Sequence, residues 1–262
     1  MLWTRIASAV VLGPLFLAIV YFESPYFNFL VAALAGLMAW EFVRMDAHYK
    51  NRRRSLIIAA SVLSVAVMST GKVLPALTII GLATVGLVIA DQVAGRKGLH
   101  MVQIAVVYVA LPALSLLYIV AADGSFSIFW LLAVVWATDI GAYAAGRIIG
   151  GPKLAPRISP NKTWSGAVGG LVSAVLASAG VLYWGAEQGM TVHLAFIAAG
   201  VSVVSQLGDL FESALKRRYQ IKDSSNLIPG HGGFMDRFDG LWAAAPVAAA
   251  LCLILGGGVR AW

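Results

Sequence analysis

The chain has 262 residues, of which 60% are hydrophobic and only 12% charged, whereas a soluble domain is about a quarter charged. Its net charge of +7 would suggest nucleic acid in a soluble protein, but apolar runs of roughly 17–24 residues recur from end to end, each long enough to cross a hydrocarbon core. The composition therefore argues against a soluble fold and against a nucleic-acid partner, and a transmembrane barrel would show short alternating segments instead. What remains is an all-α, polytopic membrane helical bundle.

In chain order, nine spans are expected at about 6–22, 26–43, 55–70, 73–90, 101–121, 126–147, 163–184, 191–214 and 240–258. The third is the shortest. The first lacks a clear small-residue cleavage site after its Arg5 flank and is expected to be retained. If 44–54 lies in the cytoplasm, all 19 basic residues except Lys72 and Arg260 fall on the cytoplasmic side. That asymmetry follows the positive-inside rule and predicts N-terminus in, C-terminus out. Trp3, Trp40, Trp184 and Trp262 near span ends suit interfacial belts. The sole cysteine, Cys252, forms no internal disulfide. Residues 1–130 read as a scaffold, with a possible lipid or dimer surface, and 131–262 carry the polar motifs.

Acidic residues inside spans are costly unless they face a partner or a watery cavity. Glu41 stands three residues before Arg44, which suggests a local ion pair. The Arg52–Arg54 run reads as a topology anchor. Asp139 lies deep in the sixth span on one face with Tyr143 and Gly146/Arg147, and Gly141 and Gly146 would admit a neighbouring helix. It is either an interhelical partner for an arginine or a site residue.

The loop at 150–166 brings Ser159, Pro160, Asn161, Lys162 and Thr163 to the start of the seventh span, a plausible anion site or an ordinary capped helix start. At the end of the eighth span, Asp209, Glu212, Ser213 and Lys216 form one polar stripe. A Glu212–Lys216 pair accounts for two of these and leaves Asp209 as a metal-ligand candidate. Residues 213–239 then gather Lys216, Arg217, Arg218, Lys222, Asp223, His231, Gly232, Gly233, Asp236, Arg237 and Asp239. Cations beside glycines suit phosphate, and clustered carboxylates suit Mg²⁺. Asp236 and Asp239 share a face at i,i+3, where either could instead cap the ninth helix. His231 could bind phosphate or act as an acid, and Gly232 and Gly233 could serve phosphate approach or a plain turn.

This stretch resembles the signature of the phosphatidate cytidylyltransferase (CDP-diacylglycerol synthase) family: Ser-x-hydrophobic-Lys-Arg, then Lys-Asp-x-small, then His-Gly-Gly-hydrophobic-x-Asp-Arg-hydrophobic-Asp. Ser213, Lys216, Arg217, Lys222, Asp223, His231, Gly232, Gly233, Asp236, Arg237 and Asp239 fill its fixed positions. Asp139–Arg147 and Ser159–Gly166 are similar to two further motifs of the family, so the resemblance covers about 137–240. One departure is Ser165, where family members often carry an acidic residue.

The resemblance implies transfer of a cytidylyl group from CTP to phosphatidate, giving CDP-diacylglycerol and pyrophosphate. It implies Asp209 and Asp236 as leading metal ligands, with Asp239 and Asp139 as further candidates. Mg²⁺ is the expected ion, and a second cation is possible. Lys216, Arg217, Lys222 and Arg237 would hold phosphates, with Ser213, Gly232 and Gly233 beside them. Lys162 and Ser159 would complete the anion site, and Lys216, Lys162 and His231 are the candidates for a direct part in the chemistry. A homodimer in a bacterial-type inner membrane, with its site facing the cytoplasm, is the further expectation. A membrane lipid kinase or phosphotransferase, or a transporter of an anionic solute, is the alternative.

Overall fold

The computed structural model describes residues 2–46, 51–95, 101–186, 189–228, 230 and 232–262. Among these residues are nine α-helices: α1 (Leu2–Phe22), α2 (Tyr26–Met45), α3 (Asn51–Met68), α4 (Val73–Val93), α5 (Ala105–Asp123), α6 (Ser125–Ile148), α7 (Trp164–Gly185), α8 (Val192–Arg218) and α9 (Met235–Leu255). The all-α reading is borne out, and α2 and α4 to α9 are long and apolar enough to cross a membrane. By that measure there are seven spans among the described residues, against nine expected. In α1 the described apolar stretch is the shorter Val10–Phe22. The third helix begins at Asn51, before the expected span of 55–70, so α3 carries Arg52, Arg53 and Arg54 in its first turn.

Pro14, Pro112 and Pro246 lie within helices, as membrane helices tolerate where neighbours satisfy the released carbonyls. Threonines cap α7 and α8. Thr163 accepts from the amide of Gly166 at 3.1 Å and Thr191 from that of Leu194 at 3.2 Å. Lys216, Arg217 and Arg218 close α8, where the helix dipole favours positive charge.

The chain divides into two compact units. The first comprises Met1–Leu117 with Asp223–Arg237. Its core includes Phe27, Met38 and Phe42 of α2 and Ile57 of α3, all almost fully buried. Arg53 of α3 pairs with the buried Asp91 of α4, which also accepts from Gln103 at 3.1 Å. Arg54 donates to the carbonyl of Asp46 at 2.9 Å. Arg53 and Arg54 thus satisfy polar groups at helix ends.

The second unit comprises Tyr118–Lys222 with Phe238–Trp262. Its helices approach closely because their contacts are made by glycines. A Cβ on Gly166 would sit 2.8 Å from the carbonyl oxygen of Ala142, and one on Gly170 2.8 Å from that of Thr138. Gly141, expected to admit a neighbour, lies against Ser173 and Gly169 of α7. Gly208 of α8 meets the carbonyl of Asp239 of α9 in the same way. Buried polar bonds fix the registers: Trp130 donates to Ser178 at 2.8 Å, and Thr138 to Ser202 at 2.9 Å. After α9 the chain turns back, the amide of Val259 donating to Ser127 at 2.9 Å. Between α6 and α7 stands a small antiparallel hairpin of β1 (Lys153–Ala155) and β2 (Ser159–Thr163).

Candidate active site

Within the second unit, four elements contribute the charged residues singled out from sequence. Lys162 enters from β2, immediately before the Thr163 cap of α7, and its ammonium pairs with Asp209 of α8. The other Asp209 oxygen accepts from Ser213 at 3.3 Å, one turn further along α8. A turn beyond that, Lys216 donates to the fully buried Glu212 at 3.0 Å. The expected polar stripe therefore exists as two rungs, Asp209–Ser213 and the expected i,i+4 pair Glu212–Lys216.

Asp239 of α9 accepts from the amide of Gly240 at 2.8 Å. The charges acting on its carboxylate are those of Asp209, Asp139 and Lys216. Asp139 on α6 is exposed, as is Tyr143, whose hydroxyl accepts from Arg147. Three carboxylates from α6, α8 and α9 and two lysines thus share one electrostatic neighbourhood. Arg217 reaches the hairpin, donating to the carbonyl of Ile158 at 3.4 Å. Ser159 is half-buried, across from Ala155 in the hairpin register, and Lys222 is exposed.

Among the described residues, no three aspartate, glutamate, histidine or cysteine side chains gather into a metal cage. Mg²⁺, however, is typically held by one or two carboxylates together with substrate phosphates and waters, not by an all-protein cage. Asp209 and Asp239 supply hard oxygen donors of the kind that suits such an ion.

The remaining motif residues belong to the first unit. The chain leaves at Asp223, runs to an isolated bridge between Ile228 and Gly232, and returns into α9 at Met235. Asp236, in the first turn of α9, accepts through one oxygen from the Ser224 amide at 2.9 Å, the Ser224 hydroxyl at 2.9 Å and the Gly233 amide at 2.8 Å. It ties the two arms of the loop together. Gly232 has φ +85°, a conformation that strains other residues, and a Cβ there would sit 2.9 Å from the same Asp236 oxygen. Arg237 is exposed. Asp236 and Asp209, expected as joint ligands, fall in different units. His231 lies outside the described residues.

The expected Glu41–Arg44 pair does not form. Arg44 lies over the Trp40 ring, 4.3 Å from its centroid. Glu41 is fully buried and turned to the loop, where it accepts from Phe234 N at 2.9 Å and Met235 N at 2.8 Å. The start of α9 is therefore capped from α2, a role weighed above only for Asp236 and Asp239. Only the place of a carboxylate near the end of an apolar span hinted at this; its partners lie 183 to 194 residues away. Ser165, the departure from the family pattern, donates to the carbonyl of Gly150 and so secures the start of the hairpin segment.

The model of the cytidylyltransferase family matches residues 3–255. The chain belongs to that family. A phosphatidate cytidylyltransferase of Brucella suis biovar 1 (strain 1330) is 39% identical over 251 residues, 93% of this chain and 90% of that protein. One of Pseudomonas aeruginosa is 38% identical over 272 residues, 98% of this chain and 99% of that protein. A third, of Bacillus subtilis (strain 168), is 48% identical over 120 residues, 45% of this chain and 44% of that protein. The resemblance drawn from Ser213–Asp239 is borne out, and it extends over nearly the whole chain rather than 137–240 alone. The protein is a nucleotidyltransferase built into membrane-spanning helices.

Proposed function

We propose that the protein transfers the cytidylyl group of CTP to phosphatidate at the cytoplasmic face of a bacterial inner membrane. The observation that carries this reading is the ladder from Lys162 through Asp209 and Ser213 to Glu212 and Lys216, with Asp139 and Asp239 acting on the same space. The names of the Brucella and Pseudomonas relatives supply the lipid substrate. The concentration of basic residues in alternate loops supports the cytoplasmic side.

A phosphatidate oxygen attacks the α-phosphorus of CTP. The new P–O bond forms as the bond to the β-phosphate bridge breaks, and pyrophosphate leaves with that electron pair. The lipid phosphate is already anionic, so no strong base is needed. The difficulty is to bring two anions together and to stabilise charge on the leaving group. Lys162 is suited to this because its ammonium is held by a partly exposed carboxylate and can exchange it for a phosphate oxygen, while Lys216, held by the buried Glu212, adds fixed positive charge. Arg217 and Lys222 extend the positive surface toward the triphosphate. Asp209 and Asp239 would hold Mg²⁺, which when bound offsets phosphate charge and orients the phosphates, and Asp139 adds negative charge nearby. Ser213 fixes the Asp209 carboxylate. The spans keep the acyl chains in lipid, and a homodimer is the expected assembly.

The test is pyrophosphate release by the purified full-length protein in mixed micelles. Release should require CTP, phosphatidate and Mg²⁺ together and should stop when the ion is chelated. Release without phosphatidate, transfer of a terminal phosphate to lipid, or solute transport with no pyrophosphate would each overturn the reading.

A further inference from the structure

We infer that Glu41 of α2 is a positioning residue for the loop that carries Lys222, Gly232, Gly233 and Arg237. Its carboxylate is fully buried and has four donors within hydrogen-bond distance, one of which, the Ser224 hydroxyl, it shares with Asp236. Two come from the outgoing arm, the hydroxyls of Ser224 at 3.1 Å and Ser225 at 2.6 Å. Two come from the returning arm, the amides of Phe234 at 2.9 Å and Met235 at 2.8 Å. One side chain therefore clamps both ends of the loop to the second helix.

The donors are all neutral N–H and O–H groups, so the site is built for an acceptor only. A glutamine offers a single acceptor oxygen and turns an NH₂ toward those donors. An aspartate is one methylene short. The clamp also accounts for Gly233: a Cβ there would run into both the Ser224 hydroxyl and a Glu41 oxygen. Gly233 is thus required by the buried carboxylate, whatever approaches the loop from outside. The tie between Asp236 and Ser224 repeats the closure, and the amide of Ile228 closes the far end on the carbonyl of Gly232 at 2.8 Å.

Glu41 touches no reacting atom in this scheme. Its effect runs through the order of the loop, and for kinetics it rests on the reading above that the loop binds substrate phosphate. Unfilled buried donors are costly, so the E41Q loop should loosen and bind substrate less well.

The experiment compares full-length wild type, E41Q and S225A, in the same micelles, by amide hydrogen exchange without substrate and by steady-state kinetics. For E41Q, exchange across 222–237 should rise while that of α6 to α8 is unchanged. KM for CTP should rise by about tenfold, with a smaller change in kcat. S225A removes one of the four bonds and should move both readouts in the same direction by less, and it decides the matter if E41Q does not insert. Wild-type exchange in 222–237 for both variants would overturn the clamp. Faster exchange with an unchanged KM would overturn the positioning role. If wild type releases no pyrophosphate, the functional reading fails, and the exchange data alone still decide whether Glu41 holds the loop.

Discussion

Two regions of the molecule use carboxylates in opposite ways. In the loop of the first unit, Glu41 accepts from neutral amides and hydroxyls, Asp236 accepts from the Ser224 and Gly233 amides, and these bonds knit one piece of backbone to another. In the helical ladder of the second unit, Asp209 and Glu212 pair with the ammonium groups of Lys162 and Lys216. Backbone bonds of the first kind leave unsatisfied buried donors when broken. The partly exposed Lys162–Asp209 pair is worth little in itself, so an incoming phosphate can replace that carboxylate at small cost, whereas parting Lys216 from the fully buried Glu212 costs more. The same residue type serves as architecture in one place and as an exchangeable counter-ion in the other.

The sharpest way to break this comparison is D209N. It preserves shape, removes the charge that faces Lys162, and weakens the proposed ion site. Loss of one electrostatic partner at a phosphoryl-transfer site costs on the order of 10²–10³ in kcat. We expect that loss in D209N, with normal insertion in the membrane and unchanged exchange in 222–237. Full turnover in D209N would show that the ladder is structural and the contrast empty.

How much of this was open to inspection in the residues alone depends on the range of each interaction. The Asp209–Ser213 and Glu212–Lys216 contacts obey helical spacing, so periodicity reveals them. The glycines of α6 signalled a close helix neighbour, which α7 supplies. Lys162 was legible as a cation beside a helix start, but its Asp209 partner was not, since no local pattern pairs a loop with a later helix. The β1–β2 hairpin escaped because its strands span three and five residues and include Pro160, which reads as a turn. Glu41 was misread for the same reason. Arg44 stands in its own turn, and the donors that win it are backbone amides and serines at the other end of the chain, which carry no charge to advertise them.

A smaller effect comes from the loop. G233A inserts a methyl group where the Ser224 hydroxyl and a Glu41 oxygen already stand. Overpacking of this kind costs about 1–3 kcal/mol, concentrated in one segment. We expect faster exchange in 222–237, a several-fold rise in KM for CTP and a nearly unchanged kcat. A kcat loss matching that of D209N, with KM unaltered, would mean that the loop takes part in the chemical step, and the division drawn above would fail.

The smallest effect separates charge from pairing within a single hairpin. Lys153 opens β1 and lies across from Thr163 in the register, next to Lys162 in the pairing, yet it is exposed. Lys162 is only 26% exposed and faces Asp209. K153A should therefore change activity by less than about twofold, within the range of ordinary surface substitutions, while K162A should lower it at least tenfold. Both variants remove one positive charge from the same small sheet. If the hairpin acts by bulk positive potential, the two losses will be alike and will shrink together as salt is raised. If it acts through the Lys162–Asp209 contact, K162A alone will suffer. Its defect will then persist at high salt, because a partly buried pair is screened much less than an exposed charge.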